Sequence, residues 1–122
     1  MDQNMLTAIA IVAGIYFFIR LWSVMQRSDS QSVIRALAEG AIVVDVRSPT
    51  AFSGGHYPGA INIPLDLIDE AIATASVRRY YPVVVYCASG MRSASAQRIL
   101  QEAGFTRVLN AGTLANLPAR QH

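Results

Sequence analysis

The chain has 122 residues, room for one modest domain, and a formal net charge of +2 supplied by arginine alone, since no lysine occurs. Its arginines are scattered among the acids, so no nucleic-acid partner is expected. A single cysteine excludes an internal disulfide framework and suits a reducing compartment.

Hydrophobic residues reach 52%, with the excess in the first 25 positions. There MLTAIAIVAGIYFFI, Met5 to Ile19, is followed by Arg20 and then LWSVM to Met25. Counted through the arginine, the stretch is about 20 residues, the length that crosses a bilayer's hydrocarbon core. Arg20 can snorkel to the headgroups and Trp22 suits the interfacial belt. A cleaved secretory signal would start with positive side chains and end at a small-residue site, whereas Met1-Asp2-Gln3-Asn4 is acidic and no A-x-A follows. A buried core helix is the weaker reading, because the run is apolar on every face and lies outside the domain. The expectation is a single-pass anchor over residues 1–27 with the lipid bilayer as partner, followed by one domain over residues 28–122. Arg20 and Arg27 flank the C-terminal end of the anchor, while only the α-amino group stands against Asp2 at the other. The positive-inside rule then places the domain on the cytoplasmic face of the cell inner membrane. Ala10, Ala13 and Gly14 offer a small-residue face for a membrane protein or a second copy of the chain.

After a polar linker, Ser30 or Ser32 is expected to cap a helix VIRALAE that stops at Gly40. AIVVDV, residues 41–46, is a β-branched run typical of a strand buried on both faces. SPTAFSGGHYPGA, residues 48–60, reads as a loop with one helical turn, INIP as a short strand, and LDLIDEAIATA as an amphipathic helix with acids in its first turn. VVVYC, residues 83–87, is a second buried strand, SASAQRILQEA a helix stopped by Gly104, and TRVLN a last strand. Strand, loop and helix alternate, so the fold class is α/β with a mainly parallel sheet flanked by helices. Ligands of such sheets bind beyond the carboxyl ends of the strands, where Cys87 stands.

Cys87 is followed by Ala88, Ser89, Gly90, Met91 and Arg92, then by a helix starting near Ser93. A loop running into a helix N-terminus aims several backbone N–H groups at one point, and Gly90 lets the chain bend. A thiolate there is favoured by the helix dipole and by Arg92, which lowers its pKa and makes it a nucleophile at neutral pH. The alternative is that Cys87 is a small buried hydrophobe at the end of a core strand.

CASGMRS, Cys87 to Ser93, resembles the C-x-x-G-x-R-S active-site loop of rhodanese-like sulfurtransferases. VVDVRSPTAF, GHYPGAINIPL and GFTRVLNAG resemble that family's other signatures in the right order, so the resemblance covers roughly residues 30–115. It implies a rhodanese-like domain and a two-step sulfur transfer with no cofactor and no metal. Cys87 takes the outer sulfur of a small-molecule donor such as thiosulfate as a persulfide and passes it to a thiol or cyanide acceptor. Backbone N–H groups of residues 88–92 would stabilise the persulfide, Arg92 would balance the anionic donor, and Ser93 would act in the loop or as a helix cap. Asp45 and Arg47 would support the loop. The six residues from Cys87 to Arg92 suit a sulfur atom, whereas related phosphatases and arsenate reductases use one more to enclose a tetrahedral oxyanion.

His56 belongs to the scaffold in this family, Arg78 and Arg79 read as solvated surface, and His122 is tail. Ala51 replaces a common acidic residue and removes one expected partner of Arg47. Ala111-Gly112 replaces a glycine pair in the closing turn, which bears on donor and acceptor preference. Two other functions fit the same residues: a non-catalytic rhodanese-like binding or sulfur-relay module, and a thiol redox sensor at the membrane.

Overall fold

The computed structural model describes residues 2–26 and 28–119. The expectations for Arg27, His122 and the side chain of Trp22 fall outside the described residues. Helix α1, Gln3–Gln26, contains a stretch, Gln3–Leu21, long and apolar enough to cross a membrane. None of that stretch is buried, and its exposed side chains include Ile9, Val12, Ile15 and Phe18. Among the described residues, no core cluster receives this stretch.

Four parallel strands follow: β1, Ile42–Asp45; β2, Ile61–Asn62; β3, Val83–Cys87; and β4, Val108–Thr113, in the spatial order β2-β1-β3-β4. The β-branched runs at β1 and β3 read as strands covered on both faces, and the side chains alternate as that requires. Val83, Val85 and Cys87 enter one core cluster with Ile68, Ala96, Leu100 and Phe105. Val84 and Tyr86 enter the other with Val33, Ala36, Tyr57 and Ala111. The first face is covered by α4, Ile68–Thr74, and α5, Met91–Glu102; the second by α2, Ser30–Ala38, and by the segment around Tyr57. A fifth short helix, α3, Pro49–Ser53, supplies the helical turn expected after β1.

Three local expectations change. The cap of α2 is Asp29, whose carboxylate accepts from the Gln31 amide at 3.0 Å and the Ser32 hydroxyl at 2.9 Å, so Ser32 supports the cap instead of forming it. The segment after Pro64 divides into a 3₁₀ turn, Leu65–Leu67, and α4. Arg79 is not a solvated surface residue: its guanidinium lies 4.5 Å from the Phe105 ring and donates to the carbonyls of Ala103 and Val77. Arg78 is exposed and bonds the Tyr80 hydroxyl.

Pairing between β3 and β4 slips once, with Val85 opposite Asn110 and Tyr86 opposite Gly112. Ala111 is the extra residue, a bulge of the kind that turns a strand end. The fully buried Asn110 side chain accepts from the Gly112 amide at 2.9 Å, meeting the backbone need the bulge creates. Ala111-Gly112 is therefore part of the last strand and not a turn after it.

Candidate active site

Cys87 closes β3, and its alternation with Tyr86 points the sulfur towards α5, whose first residue comes four positions later. The loop between turns on Gly90, at φ +88° and ψ −12°, left-handed backbone that glycine adopts without strain. A Cβ there would lie 3.5 Å from Gly112 Cα, ordinary contact, so it is the backbone conformation that calls for glycine. The turn brings the Gly90 amide to 2.8 Å from Cys87 Sγ and the Ser93 amide to 3.4 Å. α5 has no side-chain N-cap, so the sulfur occupies the place a capping oxygen would take.

Ser93 is fully buried beneath the sulfur. Its Oγ is 3.4 Å from Sγ, 3.1 Å from the Gly90 carbonyl and 3.4 Å from the Gly112 carbonyl. A neutral thiol donates to this oxygen while the hydroxyl donates to a carbonyl; once the thiol ionises, the hydroxyl can turn and donate to the thiolate. Burial pushes the Cys87 thiol up. Hydrogen bonds from the Ser93 hydroxyl and from the amides of Ser93, Gly90 and Ser89 outweigh it and hold the thiol below its ordinary range.

The lowered pKa was expected, but its source differs. Arg92 is exposed and has no hydrogen-bond or ion-pair partner among the described residues, and it is not among the groups that lower the thiol. Ser93 does that instead. It is the third residue of α5 and not its cap, and a motif spacing alone does not show which way a helix-start serine points. Ala88, Ser89, Met91 and Arg92 are the exposed part of the loop around a cysteine that is itself 1% exposed.

Asp45 and Arg47 form a pair of their own. The guanidinium lies 2.7 Å from Asp45 Oδ2, the Arg47 amide donates to Oδ1 at 2.9 Å, and Nη2 also donates to the Gly55 carbonyl at 2.6 Å. Arg47 thus has partners without an acid at position 51. Burial raises the Asp45 carboxyl, but hydrogen bonds from Arg47 and the Tyr86 hydroxyl hold it below the usual carboxylate range. Tyr86 lies under the guanidinium at 5.7 Å, and its hydroxyl accepts from the Tyr57 amide at 3.0 Å. Asp45 and Arg47 therefore reach the cysteine loop through Tyr86, the residue before Cys87. His56 stacks on Phe52 at 3.7 Å and bonds the Phe52 carbonyl through Nδ1, a scaffold role.

The model of the rhodanese-like domain matches residues 29–113, most of the chain. The chain belongs to the rhodanese-like family. Among relatives of this rhodanese-like sulfurtransferase, the thiosulfate sulfurtransferase PspE of Escherichia coli (strain K12) is 46% identical over 74 residues, 61% of this chain and 71% of that protein. The uncharacterized protein YqhL of Bacillus subtilis (strain 168) is 34% identical over 88% of this chain and 86% of its own. A match of that extent is longer than residues 28–122, so it reaches into α1. A solved rhodanese with anions from E. coli superposes with a TM-score of 0.59 at 42% identity, covering 67% of this chain and 99% of that one.

Proposed function

We propose that this rhodanese-like enzyme carries sulfane sulfur on Cys87 from a small anionic donor, with thiosulfate the first candidate, to a thiol or cyanide. The observation that carries the proposal is the sulfur atom held by the Gly90 amide, the Ser93 amide and the Ser93 hydroxyl at the start of α5.

The Cys87 thiolate attacks the outer sulfur of thiosulfate; a Cys87 S–S bond forms, the donor's S–S bond breaks, and sulfite leaves with the bonding pair. The new terminal sulfur is an anion, and the amides at the N-terminal turn of α5 are the kind of donors that would stabilise it. The Arg92 side chain, without an ion-pair or hydrogen-bond partner among the described residues, is the cation for the donor and the departing sulfite. An acceptor thiolate then attacks the terminal sulfur, the Cys87 S–S bond breaks, and Cys87 returns as thiolate. Asp45 and Arg47 position this loop through Tyr86. A redox-sensing role fits less well, because sensor thiols are solvent-accessible and Cys87 is enclosed. The test is a single turnover without acceptor. Mixing enzyme with thiosulfate should release one sulfite per Cys87, and Cys87→Ser should release none; equal release from both would sink the proposal.

Residues 1–27 form the anchor and 28–122 the domain. Two observations favour a retained anchor over a cleaved signal. The Ser28 amide donates to the Asn110 carbonyl at 2.8 Å and the Ser28 hydroxyl accepts from the Asn110 amide at 2.9 Å, so the chain is built into the fold one residue beyond Arg27. The similarity to YqhL also extends into α1. With Arg20 and Arg27 at the domain side, the domain faces the cytoplasm from the inner membrane. Protease added outside spheroplasts should leave it intact; digestion would reverse the orientation.

A further inference from the structure

Asn110 stands opposite Val85 in the register of β4 with β3, so its side chain projects on the face of the sheet that α5 covers, as those of Val85 and Cys87 do. Two residues earlier Val108 gives that core an apolar side chain, whereas Asn110 gives it a carboxamide with no exposed surface. Burying a carboxamide costs free energy unless its hydrogen bonds are used. Here Oδ1 accepts from the Gly112 amide at 2.9 Å, a bond to the backbone two residues on. On its outer edge the Asn110 backbone is itself fixed by the amide and hydroxyl of Ser28.

Gly112 is where that bond is felt. It is buried, follows the bulge at Ala111 and has left-handed backbone at φ +83°. Its carbonyl lies 3.4 Å from Ser93 Oγ, and its Cα lies 3.5 Å from where a Cβ on Gly90 would sit. Gly90 and Ser93 are the residues whose amides and hydroxyl hold the sulfur. The carboxamide of Asn110 therefore reaches Sγ through a single residue that touches both of them. Charged groups do not stand between. Asp45 and Tyr86 turn to the opposite face of the sheet, and β4 has no titratable side chain. Arg92 on α5, and Asp66 and Asp69 on the segment packed against α5, are exposed.

We propose that Asn110 is a positioning residue for sulfur transfer: through Gly112 it holds Gly90 and Ser93 where their donors meet Cys87 Sγ. This deepens the sulfurtransferase reading and rests on it. Without the carboxamide oxygen the buried Gly112 amide loses its acceptor, the backbone turns to find another, and the packing against Gly90 loosens. The donors then meet the thiolate less well, and the thiol's pKa rises. The Gly112 carbonyl has an opposite effect, because it draws the Ser93 hydroxyl away from sulfur. That effect is the smaller one, since the Gly90 carbonyl is the nearer acceptor at 3.1 Å and remains in place.

The test is the pH profile of iodoacetamide alkylation of Cys87 in the full chain, purified in detergent. The plateau at high pH reads access to the thiol, which any loosening of the fold changes. The midpoint reads thiolate formation, which a merely structural residue does not move. Asn110→Ala and Asn110→Ser differ by one oxygen, and serine offers that oxygen to the amide two residues on, less well than asparagine does. Asn110→Ala should move the midpoint to higher pH, with several-fold slower alkylation and several-fold slower release of sulfite from thiosulfate at neutral pH. Asn110→Ser should fall between Asn110→Ala and the native chain. A folded Asn110→Ala whose midpoint is unmoved or lowered overturns the proposal, and so does Asn110→Ser displaced as far as Asn110→Ala. Should circular dichroism show that Asn110→Ala does not fold, Gly112→Ala decides, because it disturbs the transmitting residue through its own left-handed backbone. Its midpoint should also rise, and an unmoved one overturns the proposal. If the native chain releases no sulfite while its alkylation midpoint still responds to Asn110, the sulfurtransferase reading fails and the positioning of the thiolate stands.

Discussion

Ser93→Ala removes one oxygen from beneath the reactive sulfur and alters nothing on the surface, since Ser93 is fully buried. The hydroxyl is the strongest of the hydrogen-bonding groups that offset burial of Cys87, ahead of the three amides. A hydrogen bond to a charged group is worth about 1.5–3 kcal/mol, and the 3.4 Å separation argues for the lower part of that range. Removing it should leave roughly tenfold less thiolate at neutral pH, because about 1.4 kcal/mol corresponds to a factor of ten. The sign follows from the lowered thiol: reactivity is lost as pH falls through the folded-state pKa, and without the hydroxyl that loss begins at higher pH. The lowered thiol also contributes stability that is present above the unfolded thiol's pKa and fades as pH falls through the folded one, so the variant should lose part of its advantage at alkaline pH. The assay is the rate of iodoacetamide alkylation of Cys87, the only thiol, from mildly acidic to alkaline pH. At high pH the variant and the native chain should react alike. A profile that does not move, or moves to lower pH, would show that the hydroxyl does not stabilise the thiolate and that the amides alone set its reactivity.

Other outcomes follow from the same geometry. Gly90→Ala forces an L-residue into left-handed backbone at about 1–2 kcal/mol, so thermal unfolding should show a midpoint roughly 4–8 °C lower per kcal/mol, with slower alkylation because the 90 amide shifts. Arg92→Ala should leave stability within about 0.5 kcal/mol, since the guanidinium has no partner among the described residues, while raising KM for thiosulfate; a large loss of stability would show a structural role instead. Asp45→Asn leaves the Arg47 guanidinium without its counter-charge and should destabilise by about 3–5 kcal/mol in urea unfolding. In the native chain the lowered Asp45 carboxyl contributes stability above the ordinary carboxylate pKa that is lost as pH falls through its folded value, so the acid-unfolding limb should flatten in Asp45→Asn.

Much of the fold and the position of the site could be read from the chain itself. Val83–Cys87 is apolar at every position, which only a strand covered on both faces explains, and the residues from Cys87 to Ser93 carry a motif with a defined backbone shape. What could not be read depended on contacts between distant segments or on side-chain direction. Asp29, Ser30 and Ser32 all fit a helix cap, and the order of the first turn decides among them only once φ and ψ are known. The bulge at Ala111 exists because β4 must fit β3 on one side and bring Gly112 to Gly90 on the other, and no local pattern in VLNAGT signals it. Ser28 pairs with a residue 82 positions away and looked like linker. Arg92 was assigned part of Ser93's task because charge is visible in a sequence, whereas a hydroxyl lying beneath a sulfur is not.

The account rests on a covalent sulfur held by Cys87. Intact-mass spectrometry of the purified chain and of Cys87→Ser, before and after thiosulfate treatment, addresses it directly. The native chain should gain the mass of one sulfur atom and lose it again on adding cyanide, while Cys87→Ser should stay unchanged. If neither gains mass with thiosulfate, mercaptopyruvate or a persulfide donor, Cys87 is not a sulfur carrier and the loop is a site for binding alone.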